Sequence, residues 1–254
     1  LMFNNEDSVK NQLYAGDISF IGSMYNEKHN LYDRLCGVND YTKGYLDAIM
    51  KVQRSIYGYF FLEDMLKGDV LDEMMRVCPV KPNEDGVETV QYVYANYFLA
   101  RRMATDERTD ILSRVGMELG KENKINLYTP DASVRFINVN NKGTVDYYNE
   151  MPYVFRNSRI NLNITLRSIK SGIPLRCMDI CGAGGFLLSN YQADLYDVFV
   201  PGEDMVIYDS IDDLMNKCKY YLSHDAERRQ IAQNGFGKIE EKHTYAVSYT
   251  HLRA

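Results

Sequence analysis

No run of basic residues longer than the pairs Arg101–Arg102 and Arg228–Arg229 occurs in this chain of 254 residues, and its net charge is −6. Nucleic-acid binding needs clustered cations to displace counterions from phosphates, so no DNA or RNA partner is expected. Long apolar runs are missing too. No segment approaches the roughly 20 residues that span a bilayer, so a transmembrane helix is not expected. The four histidines, His29, His224, His243 and His251, are scattered, and none offers an obvious catalytic base or a metal-ligating pair. Cysteine is sparse. Cys36, Cys78, Cys177, Cys181 and Cys218 form an odd, dispersed set, which excludes a disulfide scaffold and fits reduced thiols in a cytoplasm. Cys177 and Cys181 stand four apart, but zinc would need further His or Cys partners nearby, and core packing is the simpler role.

What is present is an ordinary soluble composition, 45% hydrophobic and 25% charged, enough for one large domain or two modest ones. The chain opens "LMFNN" without methionine in first place, and it is read as part of something longer. Its other end, "AVSYTHLRA", breaks the helical pattern of "IEEKHTY". Residues 246–254 are therefore read as a non-native tail and left out of the fold.

Apolar spacing organises the rest. "DISFIGS" reads as a strand ending at Gly22, and "YNEKHNLYDRLC" as a helix. Residues 44–104 carry three- and four-residue apolar spacing, in "YLDAIMKVQRSIYGYFFLEDML" and again in "VETVQYVYANYFLARRMA", and are predicted to be a helical insertion. "TDERTDILSRVGMELGK" has a Thr or Asp cap and a glycine end, and "INLYT" is a β-rich run. Strands and helices then alternate: "VRFINV", "VDYYNEMPYVFRNS", "INLNIT", "IPLRCMDIC", "GFLLSN", "ADLYDVF", "DMVIYD", "SIDDLMNKCKYYLSH" and a last helix, "AERRQIAQNGFGKIEEKH". Such alternation predicts a parallel sheet covered on both faces. Ligands in such sheets bind beyond the carboxyl ends of the strands. Ser23, Tyr128, Thr129, Asn163 and Thr165 would gather there, although each residue type also serves as an ordinary turn or cap.

The stretch "SGIPLRCMDICGAGGFLLSN", residues 171 to 190, carries the candidate chemistry. Its glycines stand after a helix and before a strand, the reverse of a dinucleotide fingerprint, so "GAGG" reads as a helix-to-strand turn. The helix's other end suits an anion. Pro174 can occupy the first helical position, and Ser171, Gly172 and Ile173 lead into it with exposed backbone N–H groups and the positive end of the helix dipole. Asp179 follows about 7.5 Å further along the axis, roughly the distance from a diphosphate to the ribose of one nucleotide. Arg176 and Asp179 share a face, and a plain surface ion pair is the competing reading. The acidic "DSIDD" at 209–213 reads as a helix cap and first turn more readily than as a metal clamp.

The block from "RINLNITLRSIKSGIPLRCMDICGAGG" through "YYLSHDAERRQIAQNGFGKIEEKHTY", with "DISFIGSMYNEKHNLYDRL" ahead of it, resembles the C-terminal domain of spore-maturation (CgeB-type) glycosyltransferase-like proteins. That resemblance implies an α/β fold with a Rossmann-like parallel sheet, the C-terminal half of a GT-B fold, over residues 17–245. It implies a partner acceptor domain ahead of Leu1. It also implies a UDP- or GDP-linked sugar donor as substrate, an unknown glycan, protein or small-molecule acceptor, and no resident metal. On the family pattern Asp179 takes the place of a glutamate that holds the donor ribose. A related group of enzymes carries an acid where this chain has Ser171, which leaves Ser171, Gly172 and Ile173 as backbone donors. Gly22, Ser23 and Lys28 match the glycine-led loop near the diphosphate, with a solvated helix position as the other reading of Lys28. Arg176 matches an arginine of the motif and a phosphate or acidic-partner role. The competing function is a non-catalytic spore or cell-surface assembly protein of the same fold. A nicotinamide oxidoreductase, suggested only by "GAGG", is opposed by the reversed order of helix and strand.

Overall fold

The computed structural model describes residues 5–26, 30–83 and 86–242. Two compact units divide the chain: residues 1–23, 111–165 and 171–254 form the first, and 24–110 with 166–170 the second.

In the first unit, α1 (Asn5–Leu13) leads into β1 (Gly16–Ile21). The other strands are β2 (Ile125–Tyr128), β3 (Val139–Asn141), β4 (Ser158–Asn163), β5 (Leu187–Asn190) and β6 (Val206–Tyr208). They form one six-stranded sheet in the order β3-β2-β1-β4-β5-β6. Every pairing is parallel, with Ile18 opposite Ile125 on one side and Ile160 on the other. This is a Rossmann-like doubly wound order. The chain runs outward from β1 in one direction and from β4 in the other, which leaves a switch point between those two strands. Every residue of β2, β5 and β6 is buried, the consequence of covering a parallel sheet on both faces. One apolar cluster joins Met151 and Phe155, Cys177 and Ile180, and Ile239 to Leu187 of β5 and Ile207 of β6. Those side chains come from α7 (Met151–Asn157), α8 (Leu175–Gly182) and α10 (Asp225–Lys242), while α9 (Ile211–Ser223) packs near β4 and β6.

The second unit is helical. It comprises α2 (Asp40–Arg54), α3 (Leu62–Met65), α4 (Gly68–Val77), α5 (Val90–Val93), a π-helical stretch Tyr94–Leu99 and the first half of α6 (Ala100–Leu119). Leu46, Leu62, Met74, Tyr94 and Leu99 are among its fully buried core residues. Gln53, 1% exposed, wires the turn after α2: its Nε2 donates to the carbonyls of Ile56 and Tyr59 at 3.2 and 2.8 Å, and its Oε1 accepts from the Phe61 N–H at 2.8 Å. That turn, with Gly58 at φ +79°, ends the helix expected to run on through 66.

Several boundaries differ from expectation for local reasons. "TDERTD" starts no helix, because α5 continues through the π-helical stretch into α6 and Thr89 is the cap, accepting from the Tyr92 N–H at 3.1 Å. Thr105 instead bonds back to the Arg101 carbonyl at 3.2 Å. Pro174 is the N-cap of α8 in extended conformation, and Leu175 takes the first helical position. "VRFINV" yields only Val139 to the sheet, since Phe136 to Val139 form a turn in which the Phe136 carbonyl accepts from the Val139 N–H at 3.3 Å. Helix α7 begins at Met151, after turns through 147–150. "ADLYDVF" and the end of "YNEKHNLYDRLC" make only 3-10 turns, Ala193–Asp197 and Leu31–Leu35.

Candidate functional site

Strand β1 delivers Gly22 and Ser23 to the carboxyl edge of the sheet at the switch point, and β4 delivers Asn163 and Thr165 beside them. The Gly22 N–H donates to the Tyr128 carbonyl at 3.0 Å, extending the β1–β2 ladder by one residue. A Cβ on Gly22 would stand 2.9 Å from the Phe20 ring, so the turn is held to bare backbone. Tyr128 itself faces inward. It is 3% exposed, packs with Tyr14 and Val154, and burial pushes its hydroxyl up to about 12. Thr129, next in sequence, is 1% exposed and its hydroxyl has no hydrogen-bond partner among the described residues.

The ends of β4 and β5 are tied by a buried polar network. Asn163 Nδ2 lies 2.8 Å from Thr165 Oγ1, 3.0 Å from Ser189 Oγ and 3.3 Å from Cys177 Sγ on α8. Asn190 accepts from the Thr165 N–H and donates to the Thr165 carbonyl, each at 2.9 Å. Asn163 and Thr165 are thus brought together, but their side chains face each other and β5, and they set the rim of the crevice more than they line it. Ser189, Asn190 and Gln192 were not singled out in the sequence, although polar residues closing the apolar run "GFLL" were the available signal.

The segment ahead of α8 presents Ser171 and Gly172 to solvent, with Ile173 half-buried against the α7–α8 cluster. Gly172 sits at φ +87° with open space where a Cβ would be. Its N–H donates to the Asp194 carboxylate, so an anionic group already stands at this end of α8. Among the described residues no side chain caps the helix. The first N–H groups of a helix have no intrahelical acceptor and point outward along the axis. One and a half turns in, Asp179 accepts from the Tyr147 hydroxyl at 2.7 Å and pairs with Arg176 at 3.4 Å. The Arg176 guanidinium lies over the Phe155 ring, 5.4 Å from its centroid, and meets the Met151 sulfur, so its charge is drawn toward α7. Arg176 and Asp179 therefore act as one unit, three residues apart on a single face. Tyr147, which orients Asp179, gave no sequence signal, because nothing in "VDYYNE" distinguishes one tyrosine from the next. Lys28 lies outside the described residues.

A family model described as glycosyl transferase-like matches residues 108–254, more than half of the chain. The chain belongs to the glycosyl transferase-like family. In this glycosyl transferase-like chain the matched span takes in β2 to β6, α8 with Asp179, and the Asn163–Thr165–Asn190 network. No curated protein matches it. Among solved structures, one of TarM is similar, with 16% identity and a TM-score of 0.45, over 57% of this chain and 32% of that one. The chain thus spans about a third of that structure's length. Among the described residues no three His, Cys, Asp or Glu side chains are placed to hold a metal ion, and no helix is long and apolar enough to cross a membrane.

Proposed function

We propose that this glycosyl transferase-like chain is the donor-binding half of a GT-B glycosyltransferase, taking a nucleoside diphosphate sugar, UDP- or GDP-linked, and passing the sugar to an acceptor. What supports this reading is the switch point of the parallel sheet between β1 and β4, together with the N-terminus of α8, which has no side-chain cap among the described residues, and Asp179 on that helix. The diphosphate would lie against Gly22 and Ser23 and the first N–H groups of α8, where the helix dipole favours negative charge. Asp179, held by Tyr147 and Arg176, would accept hydrogen bonds from the ribose hydroxyls. In the reaction the bond from the sugar's anomeric carbon to the phosphate oxygen breaks, the electron pair leaves with the nucleoside diphosphate, and the acceptor oxygen forms the new bond and releases its proton. N–H groups fixed in advance stabilise the departing charge without reorganising. The reading includes no resident metal, a cytoplasmic setting and an acceptor domain elsewhere in the protein.

A non-catalytic assembly protein of the same fold is the second reading. What favours it is the Asp194 carboxylate on the Gly172 N–H, together with a serine at 171 where related enzymes carry an acid.

Calorimetric titration of UDP, GDP and NADH into the chain and its Asp179→Ala variant separates the two. UDP or GDP binding lost in Asp179→Ala upholds the donor-site reading. A folded chain that binds neither nucleotide refutes it in favour of the second, and NADH binding alone refutes both.

A further inference from the structure

Between β3 and α7 the chain runs through residues 142–150, and the last turn of this loop is held by its own carboxylates. Asp146 Oδ1 accepts from the Tyr148 and Asn149 N–H groups at 3.1 and 2.7 Å, and Glu150 Oε2 accepts in return from the Asp146 N–H at 2.7 Å. This is the reciprocal bonding of a capping box, closed over the residues between the two acids. The Asp146 carbonyl takes the Met151 N–H at 2.9 Å, and the other Glu150 oxygen accepts from the Tyr14 hydroxyl at 2.6 Å. The turn is therefore fixed before any ligand arrives, and a ligand that uses it has little ordering left to do.

Two tyrosines stand on this fixed turn with their rings outside the core. Tyr147 is 46% and Tyr148 81% exposed, and the rings meet edge to face at 85°, with centroids 5.0 Å apart. Aromatic surface left in water adds little to the stability of the fold. A flat ligand laid into the corner between the two rings would bury it.

The place of the corner says which ligand. The Tyr147 hydroxyl donates to Asp179 Oδ1 at 2.7 Å, and Asp179 is the carboxylate assigned to the ribose under the donor-site reading, on which this inference rests. A nucleobase hangs from its ribose by a single bond. A ribose held at Asp179 thus carries its base beside the ring that borders the carboxylate.

We propose that the base of the donor nucleotide is held by stacking in the corner of Tyr147 and Tyr148, and that a purine is preferred there. Every base presents a π face, so an aromatic side chain accepts either class, and the preference comes from stacking strength. The bicyclic purine covers more of the two rings than a pyrimidine does, and face and edge contacts with perpendicular rings are both favourable for a flat heterocycle. GDP is thereby favoured over UDP.

Calorimetric titration of GDP, UDP and inorganic pyrophosphate into the chain and its Tyr148→Ala and Tyr148→Phe variants tests this. At 81% exposure, Tyr148 can be changed without disturbing the core. GDP should bind more tightly than UDP. Tyr148→Ala should weaken GDP binding about tenfold, the scale of one stacked base, and leave pyrophosphate unchanged, while Tyr148→Phe keeps the affinity for GDP. The chain has no tryptophan, so Tyr148→Trp introduces a lone indole whose fluorescence GDP should quench and pyrophosphate should not. GDP binding that is lost in Asp179→Ala but indifferent to Tyr148→Ala leaves the donor site standing and overturns the stacking. A Tyr148→Ala loss shared equally by pyrophosphate overturns it too, since it marks damage to the loop. UDP bound as tightly as GDP overturns the purine preference. A folded chain that binds neither nucleotide overturns the donor-site reading, and the stacking falls with it.

Discussion

Asn190 holds Thr165 by both of its backbone groups, accepting from the N–H and donating to the carbonyl, each at 2.9 Å. Thr165 stands two residues past the end of β4, where ladder pairing has ceased, and the amide of Asn190 continues the sheet by imitating one more strand residue. Both residues are buried, at 6% and 1% exposure, so water cannot replace these bonds. The clamp fixes where the chain leaves the sheet toward α8.

Asn190→Ala is therefore expected to cost about 2–4 kcal/mol, two buried backbone groups losing their partners at once. Urea unfolding would read the loss as a lower midpoint at unchanged slope. A cost below about 1 kcal/mol would mean that the segment finds other partners, and the clamp would then not define the crevice.

Asp194 makes a second prediction. Its carboxylate accepts from the Gly172 N–H at the end of α8 where a diphosphate is proposed to lie. Asp194→Asn keeps an acceptor for that N–H but removes the negative charge, so UDP or GDP should bind several-fold more tightly, and the gain should shrink as salt rises. Weaker binding in Asp194→Asn would show that the carboxylate orders the loop for the ligand instead of competing with it.

The parallel sheet and its strand segments were legible because buried strands are continuous apolar runs, and "ISFI", "INLN" and "MVIY" cannot be read as amphipathic helices of that length. The turn "GAGG" was legible too, but its two reasons were not. Gly184 takes φ +79°, while a Cβ on Gly185 would stand 2.7 Å from the Phe155 carbonyl oxygen and 2.8 Å from Asn161 Nδ2. The first is a local conformational need and the second a tertiary one, which no single sequence displays. For the same reason Asp179 and Arg176 could be picked out by spacing within one helix, whereas Tyr147 and Asp194, which reach them or their helix from 22 residues away or more, could not. Leu31–Leu35 and Ala193–Asp197 are 3-10 turns within segments where the apolar spacing predicts helices, because spacing over one turn fits a 3-10 turn equally well.

The thiols give a third test, with a pH arm. Cys36 is exposed, whereas Cys177, Cys181 and Cys218 are buried. In the native chain at neutral pH an aromatic disulfide reagent should modify Cys36 quickly and those three only after unfolding. Burial pushes the Cys218 thiol from 9.0 up to about 12, and the hydroxyl of Tyr128 from 10.0 to about 12. Both groups are held neutral by folding. Their stabilising contribution is complete below the unfolded values and declines as pH climbs from about 9 toward 12, because the unfolded chain gives up its protons first. The midpoint of thermal unfolding should fall over that window. Rapid native modification of all five thiols would contradict the packing of α8 and α9 against the sheet.

The last prediction concerns the second unit. Arg167 and Glu107 form its most enclosed ion pair among those described, at 5% and 4% side-chain exposure, with Nη2 to Oε1 at 2.6 Å. The same Nη2 donates to the Arg54 carbonyl at 3.1 Å, and the guanidinium lies 3.2 Å from the centroid of the Tyr57 ring. Arg167 thus joins α6, the end of α2 and the turn behind it through one side chain. Removing either partner strands a charge in a dry site, and Glu107→Gln or Arg167→Met should each cost about 3–5 kcal/mol. Removing both should cost much less than the sum, because Glu107→Leu with Arg167→Met leaves no buried charge to desolvate. A double-mutant cycle in urea measures that difference, and hydrogen exchange locates it. The single variants should lose protection first across α2 and α6, while β4 and β5 keep theirs. Additive costs in the cycle would mean that the two charges are solvated independently, and the pair would then contribute packing alone.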